Sequence, residues 1–273
     1  MVIRELIADI AKNLEDNPQF EARQIAMALT GYNNTSLLLN MGEKVSEDTI
    51  KAAFSMVNRR KNGEPLQYII GSAEFMGLGF DVDKNVLIPR ADTETLVETV
   101  LSQLENKSVK VLDIGTGSGC IGISIGHFNK NAHMTFLDVS AKALGIAKKN
   151  AAANGVCGEF MLMDILKEYP NKKFDVIVSN PPYIRPEVIE TLQTEVKDYE
   201  PYGALYGGDD GLIFYRRITD IAPKMLTDNG ILAFEIGYDQ GEDVKNLMSG
   251  FSDVRVIKDL CGNDRVVTGK IKG

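Results

Sequence analysis

The stretch Lys110-Val-Leu-Asp-Ile-Gly-Thr-Gly-Ser-Gly-Cys-Ile-Gly122 decides how this chain folds. Its apolar half, Lys110–Ile114, reads as a buried strand. The glycines that follow let a ligand approach the backbone and let the next helix pack tightly. Further β-rich runs lie downstream at Met134–Asp138, Glu159–Met163, Phe174–Ser179, Ile231–Ile236, Val254–Ile257 and Arg265–Lys270. Helical periodicity falls at Thr93–Leu104, Ala141–Ala153, Gly211–Met225 and Gln240–Met248. Strands alternating with helices imply an α/β fold with a seven-stranded, mostly parallel sheet covered on both faces. The last two strands are joined only by the loop Leu260-Cys-Gly-Asn-Asp264, which predicts an antiparallel C-terminal hairpin.

Upstream the pattern changes. Ile3, Leu6, Ile7, Ile10 and Leu14 repeat at helical spacing, as do Ile50, Ala53, Phe54 and Val57, and Glu21–Leu29 forms a third amphipathic segment stopped by Thr30-Gly31. A small N-terminal helical domain over residues 1–62 is expected. Glycines and Pro65 break residues 63–85 into the short apolar pieces Gln67–Ile70 and Leu78–Phe80, read as a β-hairpin linker. Residues 86–273 then form the α/β domain.

With 273 residues, 44% hydrophobic and 25% charged, the chain can bury a substantial core, and disorder and low complexity are excluded. No apolar run approaches the roughly 20 residues of a membrane helix, and Arg4, Glu5 and Asp9 interrupt the N-terminus. A soluble, cytoplasmic protein without an export signal is expected. Cys120, Cys157 and Cys261 lie far apart and form no CxxC pair, so neither a disulfide framework nor a metal site is suggested. His127 and His133 fit no hydrolase pattern. The net charge of −8 argues against a chain-wide nucleic-acid footprint, though not against a local one.

The chemistry begins at the glycine loop. The second strand of the domain ends at Asp138, 21 residues beyond Gly117, where a carboxylate accepts hydrogen bonds from ribose hydroxyls. The loop alone does not name the ligand, because Gly117-Ser-Gly-Cys-Ile-Gly122 also satisfies the dinucleotide pattern GxGxxG. Asp164, after the third strand, either accepts from an adenine amine or simply begins a turn.

Asn180-Pro-Pro-Tyr183 follows the fourth strand and faces the same crevice, since ligands of open α/β sheets bind outside the carboxyl ends of strands. Two prolines hold this backbone extended, with its carbonyls unspent on secondary structure. The Asn180 side-chain oxygen and the Pro181 carbonyl form a pair able to accept both N–H bonds of a planar NH₂ group, and Tyr183 offers a face to stack on it. A delocalised amide or aryl-amine nitrogen clamped in this way has its lone pair aimed at an electrophile, which suits the sulfonium methyl donor S-adenosylmethionine better than a hydride carrier.

These motifs, together with Pro65-Leu-Gln-Tyr-Ile-Ile-Gly71, Ile88-Pro-Arg-Ala-Asp-Thr-Glu94, Glu200-Pro201, Ala204-Leu205, Gly207-Gly-Asp-Asp-Gly-Leu212 and Glu235-Ile-Gly237, make the chain resemble the class I S-adenosylmethionine-dependent methyltransferases. Within them it is similar to the HemK/PrmC protein-glutamine methyltransferases that modify peptide chain release factors in translation termination. The likeness runs from about Pro65 to Gly269, and Ala91 departs from it where the family often has a second proline. It implies a Rossmann-like methyltransferase sheet and a helical N-terminal domain that grips the release factor. It further implies that Gly115, Thr116, Gly117, Ser118 and Gly119 contact the methionine part of the cofactor, Asp138 the ribose and Asp164 the adenine region. Asn180 would touch both cofactor and substrate, Asn180, Pro181 and Pro182 would hold the glutamine of a Gly-Gly-Gln loop, and Tyr183 would flank it. Catalysis would fall to Asn180, Pro181 and Tyr183, with S-adenosyl-L-homocysteine as the product. A monomer with no membrane and no direct nucleic-acid partner is expected. NPPY is shared with adenine methyltransferases, so an adenine-specific nucleic-acid enzyme stays open as an alternative, as does a non-catalytic S-adenosylmethionine-binding protein.

Overall fold

The computed structural model describes residues 1–104 and 107–272. The chain divides into two compact units, Met1–Ser72 with Gln193–Tyr199, and Ala73–Leu192 with Glu200–Gly273. Among the described residues no helix is long and apolar enough to cross a membrane.

The first unit is helical. Its helices span Ile3–Ala11, Pro18–Thr30, Asn34–Leu39, Glu47–Lys61 and Leu66–Ile70. Two start on side-chain caps, Asn33 accepting from the Ser36 N–H and Ser46 from the Thr49 N–H, each satisfying a donor the first helical turn leaves open. The periodic residues Ile3, Leu6, Ile10, Ile25, Ala53 and Val57 meet in one core. Arg60 enters this unit nearly buried and is matched by two carboxylates, Glu21 at 2.8 Å and Glu195 at 2.6 Å.

One expectation is corrected here. Gln67–Ile70 is not an arm of a hairpin but part of the helix Leu66–Ile70. Leu66 and Ile70 pack into the helical core and Ile69 is buried as well, the i, i+3 and i+4 spacing of one helix face, and Gly71 stops the helix at a φ of 78°. The hairpin lies just beyond, β1 (Ser72–Phe75) and β2 (Leu78–Asp81), joined by Met76 and Gly77 at φ 52° and 71°. Positive φ at both turn positions is the type I′ geometry that matches strand twist.

The second unit holds a seven-stranded sheet of β3 (Val109–Ile114), β4 (Ala132–Asp138), β5 (Gly158–Leu162), β6 (Phe174–Ser179), β7 (Leu226–Glu235), β8 (Ser252–Lys258) and β9 (Asp264–Lys270), in the order β5-β4-β3-β6-β7-β9-β8. The five strands from β5 to β7 are parallel, and β9 runs antiparallel to both β7 and β8. Side chains alternate between the faces as a doubly covered sheet requires. Val111, Ile231 and Ala233 join Leu96, Val100 and Ile125 on one side, while Leu112, Leu232 and Phe234 join Tyr215, Ile218 and Val244 on the other.

The connections from β3 lead away to β4 and those from β6 to β7, so the order reverses between β3 and β6. A crevice opens at such a switch point. Register carries the argument further. Ile114 pairs with both Leu137 and Ser179, and Ser179 pairs with Phe234. The next residue on each strand therefore falls in one row along the carboxyl edge: Asp138, Gly115, Asn180 and Glu235.

Candidate active site

A cavity of about 420 Å³ opens at this edge. Gly115, Thr116, Gly117, Ser118, Asp138, Asp164, Asn180, Pro181 and Pro182 all line it. Gly119 and Tyr183 stand behind this lining. Gly119 caps the helix Cys120–Phe128 at a φ of 86°, where a Cβ would come within 2.5 Å of Ile123. Tyr183 packs against the apolar core beneath the sheet edge, and burial pushes its hydroxyl well above its ordinary range.

The glycine loop is shaped from within. Gly115 and Gly117 have φ of 70° and 55°, and a Cβ built on Gly115 meets nothing within 4 Å. Asp113, fully buried below, accepts from the Thr116 hydroxyl at 2.6 Å and the Gly122 N–H at 3.1 Å. Burial pushes Asp113 up to about 6. Asp138 faces the loop from β4: one oxygen accepts from the Gly117 N–H at 2.9 Å, the other from the Ser140 N–H at 2.8 Å. Burial raises its pKa against these bonds. Asp164 caps a turn through the Leu166 N–H and pairs with Lys167 at 2.8 Å, which holds it below the usual range.

The NPPY segment leaves β6 after Ser179, whose buried hydroxyl donates to the Ile114 carbonyl at 2.7 Å and ties it to the glycine loop's strand. Asn180 Nδ2 donates to Thr93 Oγ1 at 3.5 Å. Among the described residues no donor meets Asn180 Oδ1 or the Pro181 carbonyl. Gly207 and Gly211 lie so close to Tyr183 that side chains there would overlap its backbone. Ile184 donates to the Leu205 carbonyl and receives from Gly207. Gln240 completes the brace, with Nε2 donating to the carbonyls of Tyr183 and Gly211, both at 3.2 Å.

Three supports escaped the sequence reading. Asn150 is buried, its Oδ1 accepting from the Asp81 N–H at 2.8 Å and its Nδ2 donating to the Asp81 and Ser118 carbonyls. It pins the hairpin to the glycine loop. Its signal was available, a lone Asn on the apolar stripe Ala143, Leu144, Ala147, Ala151 of its helix. Gln240, next to Gly241 at a helix start, carried no such signal. Arg90 reaches buried Glu200 at 2.5 Å across 110 residues of chain, a pairing that spacing alone cannot show.

Residues 90–196 match the family model described as methyltransferase small domain, and residues 2–71 match the PrmC N-terminal domain. The release factor glutamine methyltransferase of Clostridium botulinum is 39% identical over 99% of this chain and 99% of its own length. That of Clostridium acetobutylicum is 41% identical over 94% and 93%. The chain belongs to the release factor glutamine methyltransferases. Its fold is also that of a Pyrococcus furiosus methyltransferase, at a TM-score of 0.54 and 19% identity over 79% of this chain and 98% of the other. These relatives of the methyltransferase, named for glutamine, do not favour the adenine alternative.

Proposed function

We propose that this methyltransferase moves a methyl group from S-adenosylmethionine to the side-chain amide nitrogen of the glutamine in the Gly-Gly-Gln loop of peptide chain release factors. The single observation that carries the reading is the unspent pair of acceptors, Asn180 Oδ1 and the Pro181 carbonyl, at the rim of a cavity floored by the glycine loop. The cavity fits the donor on its own features. Open space stands above Gly115, Asp138 presents a carboxylate at the loop, and the volume lies in the range of small-molecule sites. Gly115 to Ser118 and Asp138 would hold the methionine and ribose portions, and Asp164 the adenine end.

Bound there, S-adenosylmethionine supplies an electrophilic methyl carbon on a sulfonium sulfur and leaves as S-adenosyl-L-homocysteine. The protein's share is positioning and electrostatics. Asn180 Oδ1 and Pro181 O accept the two amide N–H bonds, draw electron density onto nitrogen and favour a more tetrahedral nitrogen whose lone pair points along the line of transfer. Pro181 and Pro182 keep both oxygens fixed without a conformational cost at the moment of reaction. No strong base is needed: once nitrogen carries the new methyl group its N–H is acidic and the proton passes to water. Tyr183 steadies the segment from behind, and the helical N-terminal domain serves to hold the protein substrate.

Labelled S-adenosylmethionine incubated with a purified release factor, followed by mass spectrometry of the Gly-Gly-Gln peptide, tests this. The wild type is expected to add one methyl group to the glutamine. Asn180→Ala is expected to keep calorimetric affinity for S-adenosyl-L-homocysteine and to lose turnover by about 10²–10³, as for removal of one preorganised polar group. Wild-type turnover in that variant would refute the clamp.

A further inference from the structure

Glu235 is an acid that the scheme above leaves unused. It ends β7 beside Asn180 in the row along the sheet edge and is 2% exposed. The Asn180 carboxamide donates to the Thr93 hydroxyl at 3.5 Å, and both Thr93 and Asn180 favour the ionised form of the neighbouring Glu235 carboxylate. Its Oε2 meets no hydrogen-bond partner among the described residues. An ionised carboxylate has no hydrogen to give, so it can face only the NH₂ end of an asparagine. That constraint turns Oδ1 away from Glu235.

We infer that Glu235, together with Thr93, is the positioning residue that sets which end of the Asn180 carboxamide faces the cleft. The inference rests on the reading of Asn180 as the amide clamp. When Glu235 takes up a proton it gains an O–H donor, which Asn180 Oδ1 can accept by turning inward, and the clamp loses its acceptor.

The charge around Glu235 comes from every element packed on it. Burial pushes its carboxyl up to about 7; Thr93 and Arg265 oppose this, Asp92 adds to it, and Asn180 opposes it. Tyr183, Tyr215 and the buried Cys120 thiol lie close by, and Glu235 in turn raises all three. The proton equilibrium therefore falls within the range where the enzyme can be assayed. With the ionised form active, turnover is lost as pH falls through about 7.

The test is kcat and KM across pH for wild type, Glu235→Gln, Glu235→Leu and Asn180→Ala, with affinity for S-adenosyl-L-homocysteine measured alongside. Wild-type kcat is expected to fall towards tenfold per pH unit on the acid side, while that affinity changes less. Glu235→Gln, which keeps an acceptor oxygen at every pH, loses this acid limb. Glu235→Leu loses about tenfold or more in kcat on the alkaline plateau, where wild-type Glu235 is ionised, and still binds S-adenosyl-L-homocysteine. An acid limb that persists in Glu235→Gln overturns the positioning role, and so does a wild-type plateau kcat in Glu235→Leu. Should the leucine variant fail to fold, the limb in the glutamine variant decides alone. Wild-type activity in Asn180→Ala would instead sink the clamp reading itself, whatever the Glu235 variants do.

Discussion

A carboxyl group at 2% exposure, as at Glu235, costs free energy whenever it ionises. Its value in the fold, about 7, lies above the ordinary 4.5, so its contribution to stability is greatest below 4.5 and is lost as pH rises through 7. Glu235→Gln removes that loss. The stability gain of the variant over wild type, read from urea midpoints, is expected to be larger at about pH 8 than at about pH 5, by up to roughly 3 kcal/mol. An equal difference at both pH values would show that the carboxyl is not the group titrating. Asp113, raised to about 6 by burial, acts with the same sign. Glycines matter at this scale where a backbone passes close. Gly211→Ala places a methyl group against the Tyr183 carbonyl at a φ of 75°, and is expected to lower kcat at least tenfold while far-UV circular dichroism stays at wild type.

At the scale of elements, the site depends on braces between segments far apart in sequence. Asn150 holds the hairpin and the glycine loop with three hydrogen bonds from one buried amide. Asn150→Ala is expected to cost about 2–4 kcal/mol, because it leaves buried backbone groups without partners. It should also weaken S-adenosyl-L-homocysteine binding more than Glu159→Ala, a surface change on β5. Equal binding in both would mean that the brace does not shape the loop. The strands and four of the helices around the sheet were legible from their hydrophobic period, and β6 lies at Phe174–Ser179, the expected span, whereas the helix Cys120–Phe128, buried over most of its length, shows no one-sided period. The helix at Leu66–Ile70 was not, because a five-residue apolar run shows too little of either period to choose between them. Leu66 and Ile70 chose helix by reaching a core built from residues far upstream.

The whole molecule carries a net charge of −8, so tight duplex DNA binding is not expected. A gel-shift titration at low salt checks this, and a steep decline of affinity with salt would mark a phosphate footprint that the composition hides. A ligand that binds only the folded state adds RT ln(1 + [L]/Kd) to stability. S-adenosyl-L-homocysteine at a hundredfold excess over Kd is therefore expected to stabilise the second unit by about 2.7 kcal/mol, several degrees in its melting transition. Asp138→Ala should shrink that shift, and an undiminished shift would remove Asp138 from the cofactor site.

Local pattern alone determined a good deal here: the alternation of strands and helices, the glycine loop, the carboxylate after β4 and the proline-stiffened acceptors after β6, since each is written in neighbouring residues through φ preference and hydrophobic period. Tertiary structure decided what those pieces do together. The pairing of Ile114 with Ser179, and of Ser179 with Phe234, brings Gly115, Asn180 and Glu235 into one row, and the buried partners Thr93, Asn150 and Gln240 reach that edge from other parts of the chain. Strand order and long-range hydrogen bonds depend on which surfaces pack together, and no window of neighbouring residues contains that information.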